Sequence, residues 1–578
     1  MQFRRDGNER ASLSRSRPAP KTRLRAVCPP TFLIVADAPS SMTDAADLLV
    51  TNAAVHTLDD PDTVHEAIAV RDGEIVRLGD EYEMRFLEGV GTDVVDCGGR
   101  PVLPGFVDAH THMEQLGQHL VHADLSAADS AADCLEILRA HADAEPDREW
   151  ILGFGYDESA WTGADARTEP LTRADLDRVS EVRPVVAMRV DLHTASLNSV
   201  AVARLADDLP ADDLRTAAGE PTGVAVEDAA EAVRRRLTSD REELREVLAA
   251  ASERAVELGV TCVHDKVRGS AAPRVYRELA ADGDLPLRVR IDYWSDHLEA
   301  LSEVGLSTND GDDRVRTGAI KSFSDGSFGS RTARLTEPYA DAEGRDGGDR
   351  EPGDDDPDTD GDRGQWVVDP DDLAALVERA DGAGYQICVH AIGDEAVEET
   401  LAALEATPDP GGRRHRIEHA ELATDDHIAR MAEAGIVASM QPNFHRWADD
   451  GGLYDRRLGR ERRDRTNRFR RVLEAGVPLA FGSDCMPLDP LLGVHHAANA
   501  PTEAQRLSVT AALRAYTRGA AYAGFDEDRL GTLAVGKRAD LVVLEESPWE
   551  QRERIDEIDV TATLVDGEIV FTASDFEC

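Results

Sequence analysis

Short apolar runs recur along the middle of this chain, each followed by a stretch with helical periodicity, and that alternation limits the fold more than any other feature. Eight runs have strand character: GFVDAHTH (105–112), GVTCVHD (259–265), LRVRIDYW (287–294), GAIKSFSDG (318–326), YQICVHAIGD (385–394), HRIEHAE (415–421), GIVASMQP (435–442) and PLAFGSDC (478–485). Segments such as EELREVLAAASERAVEL and DDLAALVERADGAG lie between them. Strand–helix units repeated in this way predict an α/β fold, a parallel sheet closed into a (β/α)8 TIM barrel over 105–527. The first two strands are about 145 residues apart, too far for a single crossover, so a subdomain inserted over 114–245 is expected.

The ends of the chain read differently. LLVTNAAVHTL, AIAVRDGEIVRLGD and VVDCGGRPVLPG near the start, and RADLVVLEE and ATLVDGEIVFT near the end, have the pattern of strands, with Asp72-Gly73 and Asp566-Gly567 as hairpin turns. They predict a composite β-sandwich domain built from 42–104 and 528–575. Residues 1–41 carry eight Arg/Lys against three acids and are rich in Pro and Ser, which predicts a disordered N-terminal tail. The apolar stretch TFLIVADA within them is too short and too far in for a signal-peptide core, and Met42 is an alternative start. Residues 341–365 are nearly all Asp, Gly, Arg and Pro and predict an acidic flexible loop; their order does not match a calcium loop.

The formal net charge is −49, spread along the chain. Such a field repels nucleic acid and anionic lipid, so neither is expected as a partner. Abundant Asp and Glu with almost no Lys is the style of a halophilic protein, whose acidic surface is screened by salt. No run of 18 apolar residues exists to span a membrane. The seven cysteines are scattered without a CxxC pair, which argues against a disulfide framework and for a reducing, cytoplasmic setting.

The chemistry gathers at the ends of the strand runs. His110 and His112 stand two apart, so both imidazoles project from one face. His390, His419 and Asp484 close the fifth, sixth and eighth runs. Each alone is a core histidine or a helix cap; together they are nitrogen and oxygen donors at the catalytic ends of barrel strands. Lys321, one of only four lysines against 60 arginines, ends the fourth run. A bare ammonium would repel a cation, whereas a lysine carbamylated by CO2 is a long-armed carboxylate, a role closed to arginine. An ammonium that binds substrate is the other reading. His264-Asp265 at the end of the second run could support the ligands from outside. By alternation Cys485 points away from the pocket, and His495-His496 fall on a helix. DRRLGRERRDRTNRFRR (455–471), with nine arginines and three acids, reads as a solvated helical stretch pairing with acidic neighbours.

PGFVDAHTH, IKSFSDGSFGSRTA, CVHAIGDEAV, RIEHAEL, FGSDCMPLDP and GTLAVGKRADLVVL resemble the motifs of the amidohydrolase superfamily, in its formamide-deformylase-like branch, over about residues 45–572. WILGFGYDESAW and DLHTASLNSVAV in the insertion resemble segments of the same branch. The resemblance implies that His110, His112 and Asp484 hold a more buried metal, that carboxylated Lys321 bridges, and that His390 and His419 hold a second metal. It implies zinc, one ion or two, with iron or manganese as alternatives. It implies hydrolysis of a linear C–N bond in a small amide or N-substituted formamide by a metal-activated hydroxide, with Asp484 as the catalytic proton carrier. A homodimer, and substrate contacts from His193, Asn198 and Asp325, belong to the same expectation. A cyclic deaminase on this scaffold is the alternative, weakened because Gly393, not Glu, stands three residues after His390. A non-catalytic binding protein with a decayed site is weakened because all six candidate ligands are present.

Overall fold

The computed structural model describes residues 45–574 and Phe576, apart from 160, 163–166, 168, 191–192, 211–212, 218, 238–240, 270 and 343–361. The expected tail over 1–41 and most of the acidic loop over 341–365 therefore lie outside the described residues.

All eight strand runs form strands, and they hydrogen-bond in chain order as one parallel sheet: Phe106–Thr111, Val260–Val267, Arg288–Trp294, Val315–Phe323, Ile387–Ala391, Arg416–His419, Val437–Met440 and Leu479–Phe481. Helices fall between them, including Arg241–Glu257, Ala272–Asp282, Pro370–Gly382, Asp394–Glu405 and Asp425–Ala434. Their ends follow local chemistry. Asp369 caps a helix that has proline in its first turn, Thr424 and His427 form a reciprocal capping box, and Gly283 and Gly435 close helices in the left-handed conformation. The sheet nearly closes on itself. At the seam the Asp484 amide donates to the His110 carbonyl at 2.7 Å. The approach depends on Gly482, where a Cβ would lie 2.4 Å from the His110 nitrogen. Outward-facing Val263, Val289, Ile320, Ile387 and Ile417 are fully or almost fully buried in one large cluster with the helices. Each such side chain contributes about 1.5–3 kcal/mol on leaving water.

A six-stranded sheet combines strands from both ends of the sequence, with Pro101–Pro104 paired antiparallel to Leu541–Leu544. A four-stranded sheet over Leu48–Asp96 shares a buried cluster with it, in which Val50, Ile68 and Val70 meet Val102, Leu541 and Leu564. Both Asp-Gly turns are two-residue hairpins with positive φ at each position: Asp72 (52°) and Gly73 (75°), Asp566 (54°) and Gly567 (74°). The two turns touch, since a Cβ on Gly73 would come within 3.0 Å of the Asp566 Cβ. Arg288, at the start of the third barrel strand, ties them down with Nε 2.8 Å from Asp540 Oδ2 and Nη2 2.6 Å from Asp566 Oδ1.

Between the first and second barrel strands lies a further six-stranded sheet, running from Ala123–Asp124 to Glu220–Val226 with its own apolar clusters. Among the described residues no helix is long and apolar enough to cross a membrane. Cys97, Cys134, Cys262, Cys388 and Cys485 are free.

Candidate metal centre

The inner face of the barrel is polar. Adjacent parallel strands set their side chains in register: His264 opposite Arg290, Lys266 opposite Asp292, Lys321 opposite Cys388, Cys388 opposite Arg416, and His390 opposite Glu418. Parallel strands ordinarily read as continuous apolar runs. Here Arg288, Arg290 and Asp292 of RVRIDYW, and Arg416 and Glu418 of RIEH, alternate with apolar residues and are buried on the inner side.

At the carboxyl ends of the strands three side chains converge. One donor atom each of His110, His112 and Asp484 lies within 4.8 Å of the others. Asp484 Oδ1 is 3.1 Å from His112 Nε2 and 3.5 Å from His110 Nε2. His419 stands beside His110, with ring centroids 4.9 Å apart, and His390 beside His419 at 4.5 Å. Thus the five sequence-predicted histidine and aspartate donors occupy one end of the barrel. His419 and Asp484 both have positive φ, 69° and 55°, as do Ala420 and Cys485 after them. Side-chain-bearing residues in this region carry strain of about 1–3 kcal/mol, a feature concentrated at functional sites.

Lys321 is fully buried, and its Nζ has no hydrogen-bond partner among the described residues; it sits 4.3 Å from the centroid of the Phe323 ring. His419 Nδ1 is likewise buried and unpartnered. Nitrogen and oxygen donors in one cluster, with orphaned buried nitrogens beside them, fit a divalent cation with mixed imidazole and carboxylate ligands. Burial holds the His110 and His419 imidazoles well below their usual pKa and brings His390 to about 3, with Lys321 adding to each. All three are neutral, as ligation requires. Burial brings the Lys321 amine down to about 8, against an opposing pull from Cys388, Glu418 and Asp484. The neutral amine is the form that reacts with CO2.

Sequence reasoning missed Glu418 and Arg416. Glu418 Oε2 is 2.5 Å from His110 Nδ1, and Arg416 Nε donates to Glu418 Oε1 at 2.8 Å. Burial alone would raise the Glu418 carboxyl, but Arg416, Lys266 and Lys321 overcome it and hold it at about 2. The available signal was the alternation of charges inside RIEH. His264 is buried with Nδ1 3.0 Å from Arg416 Nη1, two contacts away from the donor cluster. Cys485 packs against Thr111 Oγ1 at 3.0 Å and the His112 amide at 3.3 Å, and burial pushes its thiol up.

The three expected substrate contacts occupy different places. Asn198 is fully buried in the inserted sheet and caps the helix Ser199–Leu205: its Oδ1 accepts from Val185 and Ala201, and its Nδ2 donates to the carbonyls of Ser180 and Arg183. Its side chain serves as a helix cap, with oxygen and nitrogen both engaged. His193 is exposed and pairs with Glu227 at 3.0 Å. Asp325 is fully buried, accepting from the amides of Ile392, Gly393 and Arg334, and burial raises it to about 7. It clasps the loop after the fifth strand, 3.6 Å from His390 Nε2, which donates to the Gly326 carbonyl at 2.9 Å. The arginine-rich stretch forms short helices whose guanidinium groups meet acids, Arg457 with Asp341, Arg463 with Asp450 and Arg468 with Asp425.

A family model described as "Amidohydrolase family" matches residues 93–571. The chain is similar to "Putative amidohydrolase YtcJ" of Bacillus subtilis, 31% identical over 544 residues that cover 88% of this chain and 96% of that protein. It is similar to the N-substituted formamide deformylase of Arthrobacter pascens, 28% identical over 91% of this chain and 98% of the relative. Among solved structures, an uncharacterized metal-dependent hydrolase from Pyrococcus furiosus superposes with a TM-score of 0.72 at 29% identity, covering 87% of this chain and 99% of the other.

Proposed function

The chain belongs to the amidohydrolase family, and from that membership we propose a metal-dependent hydrolase that cleaves the linear C–N bond of a small amide or N-substituted formamide. The observation that carries this reading is the convergence of His110, His112 and Asp484 within 4.8 Å at one end of the barrel, beside His390, His419 and an unpartnered Lys321. His110, His112 and Asp484 would hold one divalent cation, His390 and His419 a second, and Lys321, as its carbamate, would join them. Zinc suits these ligands, with iron or manganese as alternatives. When bound, the cation supplies Lewis acidity toward the substrate carbonyl and toward water.

The chain's own residues do the rest. Glu418 holds His110 in place from behind, and the neutral rings of His390 and His419 present nitrogen lone pairs. Asp484, carried on a strained backbone at the rim, receives the proton of the attacking water and delivers it to the leaving nitrogen as the C–N bond breaks, giving a carboxylic acid and an amine. Phe444, stacked on His419 with ring centroids 5.8 Å apart, shields one flank from solvent. The deaminase alternative is less well supported. Glu395, the first glutamate after His390, is engaged by Arg334 at 3.0 Å. The strands of both chain ends that share one sheet and one core support a composite sandwich beside the barrel, and the free cysteines support a reducing compartment.

The test is metal analysis of the purified full chain together with turnover of N-substituted formamides, N-acyl amines and cyclic amidines in high salt. One or two divalent ions per chain, activity on the linear substrates, and a loss of about 100-fold or more in kcat for Asp484→Asn are expected. A chain that binds no divalent ion, or that turns over only cyclic amidines, would refute the assignment.

A further inference from the structure

We infer that Glu418, clamped by Arg416, is a positioning residue that fixes the tautomer of His110 and so decides which of its nitrogens is free to bind a cation. The inference rests on the reading of His110 as a ligand.

The geometry is closed on every side. Glu418 is fully buried, and both its oxygens are used: Oε1 accepts from Arg416 Nε at 2.8 Å, and Oε2 accepts from Arg416 Nη2 at 3.1 Å and faces His110 Nδ1 at 2.5 Å. A carboxylate can only accept, so His110 Nδ1 must carry the proton. Nε2 is then the lone-pair nitrogen, and it is Nε2 that faces Asp484 Oδ1 at 3.5 Å. Both Glu418 oxygens are committed to Arg416, and Oε2 to His110 as well.

Arg416 makes the arrangement one-way. Its guanidinium is fully buried, and besides Glu418 it donates to the Ala109 carbonyl at 2.6 Å and to Ser439 Oγ at 3.0 Å, and meets His264 Nδ1 at 3.0 Å. All three guanidinium nitrogens are engaged, which holds the fork in place. The Ala109 carbonyl belongs to the residue before His110, so the same guanidinium holds both the backbone and the ring of that histidine from behind. Carboxylates of this kind, standing behind a ligating imidazole, fix its orientation and raise its basicity.

The clamp yields an unusual expectation for Glu418→Gln. The amide has the same shape, but both Glu418 oxygens face Arg416, which offers only donors. Nη2 also reaches the Ala109 carbonyl and Ser439 Oγ, whereas Nε bonds Glu418 alone, so the amide oxygen settles at the Oε1 position against Nε. The NH2 group then faces His110 Nδ1, which has to become the acceptor. The proton moves to Nε2, and the nitrogen that faces Asp484 can no longer ligate. A substitution that changes no volume therefore acts through one proton.

The experiment uses the full chain, stripped of metal, with Zn2+ as the probe and a chromophoric chelator as competitor. Zn2+ affinity should fall about 10–100-fold in Glu418→Gln. Nitrogen NMR of histidine-labelled, metal-free protein should report His110 protonated at Nδ1 in the wild type and at Nε2 in the variant, a readout that a purely structural role would not move. Arg416→Lys, which keeps the charge but loses the fork, should lower affinity as well, and it carries the measurement if Glu418→Gln fails to fold. Wild-type Zn2+ affinity in either folded variant, or an Nε2-protonated His110 in the wild type, would overturn the inference while leaving the hydrolase reading intact. A wild-type chain that binds no divalent ion would overturn both.

Discussion

Replacing Lys321 with methionine should stabilise the metal-free protein. The side chain is fully buried, its nitrogen has no hydrogen-bond partner, and burial lowers the amine from its ordinary 10.5 to about 8. At pH 7 the folded chain must protonate this amine away from water, whereas the unfolded chain protonates it in water. The difference corresponds to about 3 kcal/mol against folding, at about 1.4 kcal/mol per pH unit of displacement. The sign follows from proton binding. Between pH 8 and 10.5 the unfolded chain binds more protons than the folded one, so wild-type stability climbs with pH through that window and carries the full penalty below it. Methionine fills nearly the same space without a charge and lacks this dependence. The assay is denaturant unfolding of both proteins in buffers stripped of metal and bicarbonate, at pH 7 and pH 10. The variant should be more stable by about 3 kcal/mol at pH 7, with the gap closing toward pH 10. Zinc and bicarbonate together should then raise the wild type more than the variant, which keeps the histidine and aspartate donors but cannot form the carbamate. A wild type that matches or exceeds the variant at pH 7, or a gap that does not narrow with pH, would refute the reasoning.

Two further outcomes can be measured directly. Arg288→Met removes the one cation that faces both Asp540 and Asp566 from the barrel, leaving buried carboxylate behind; a loss of about 3–5 kcal/mol is expected, read by denaturant unfolding, with an unchanged midpoint counting against it. With a net charge of −49, the melting temperature should rise as KCl is raised from 0.1 to 2 M and the screening length shrinks from about 10 Å to under about 3 Å; a flat salt profile would show that the acidic surface is not self-repelling.

The periodicity of the eight strand runs was enough to read the barrel, because parallel strands and their crossover helices leave a pattern on two length scales. The donor residues were legible for a related reason, since His110, His112, His390, His419 and Asp484 all stand where a strand run ends. Lys321 was legible through scarcity. The three lysines that the structure describes are buried or half-buried: Lys266 pairs with Asp292 at 2.5 Å, and Lys537 donates to two carbonyls and Thr532 Oγ1. What the sequence did not disclose was the network behind the site. Arg416, Glu418 and Asp292 look like solvated charges in one dimension, and only the register of neighbouring strands shows that they face each other across the interior. Asn198 is ambiguous in the sequence for the opposite reason. Its Asn-Ser pair looked like a recognition segment, whereas an asparagine followed by a helix is a cap, and the hydrogen bonds of that cap consume it.

The pairing of Pro101–Pro104 with Leu541–Leu544 has a consequence for how the molecule is made. A ribosome delivers the first of these strands more than four hundred residues before the second, so for most of synthesis that strand waits with an open flank. Pro101, which faces that flank, lacks the amide hydrogen that a stray neighbour would grip, which helps keep the vacant side quiet until the proper partner emerges. Shortening the gene before codon 541 would leave the flank open for good, and such a product should clump even though its entire cylinder had been synthesised.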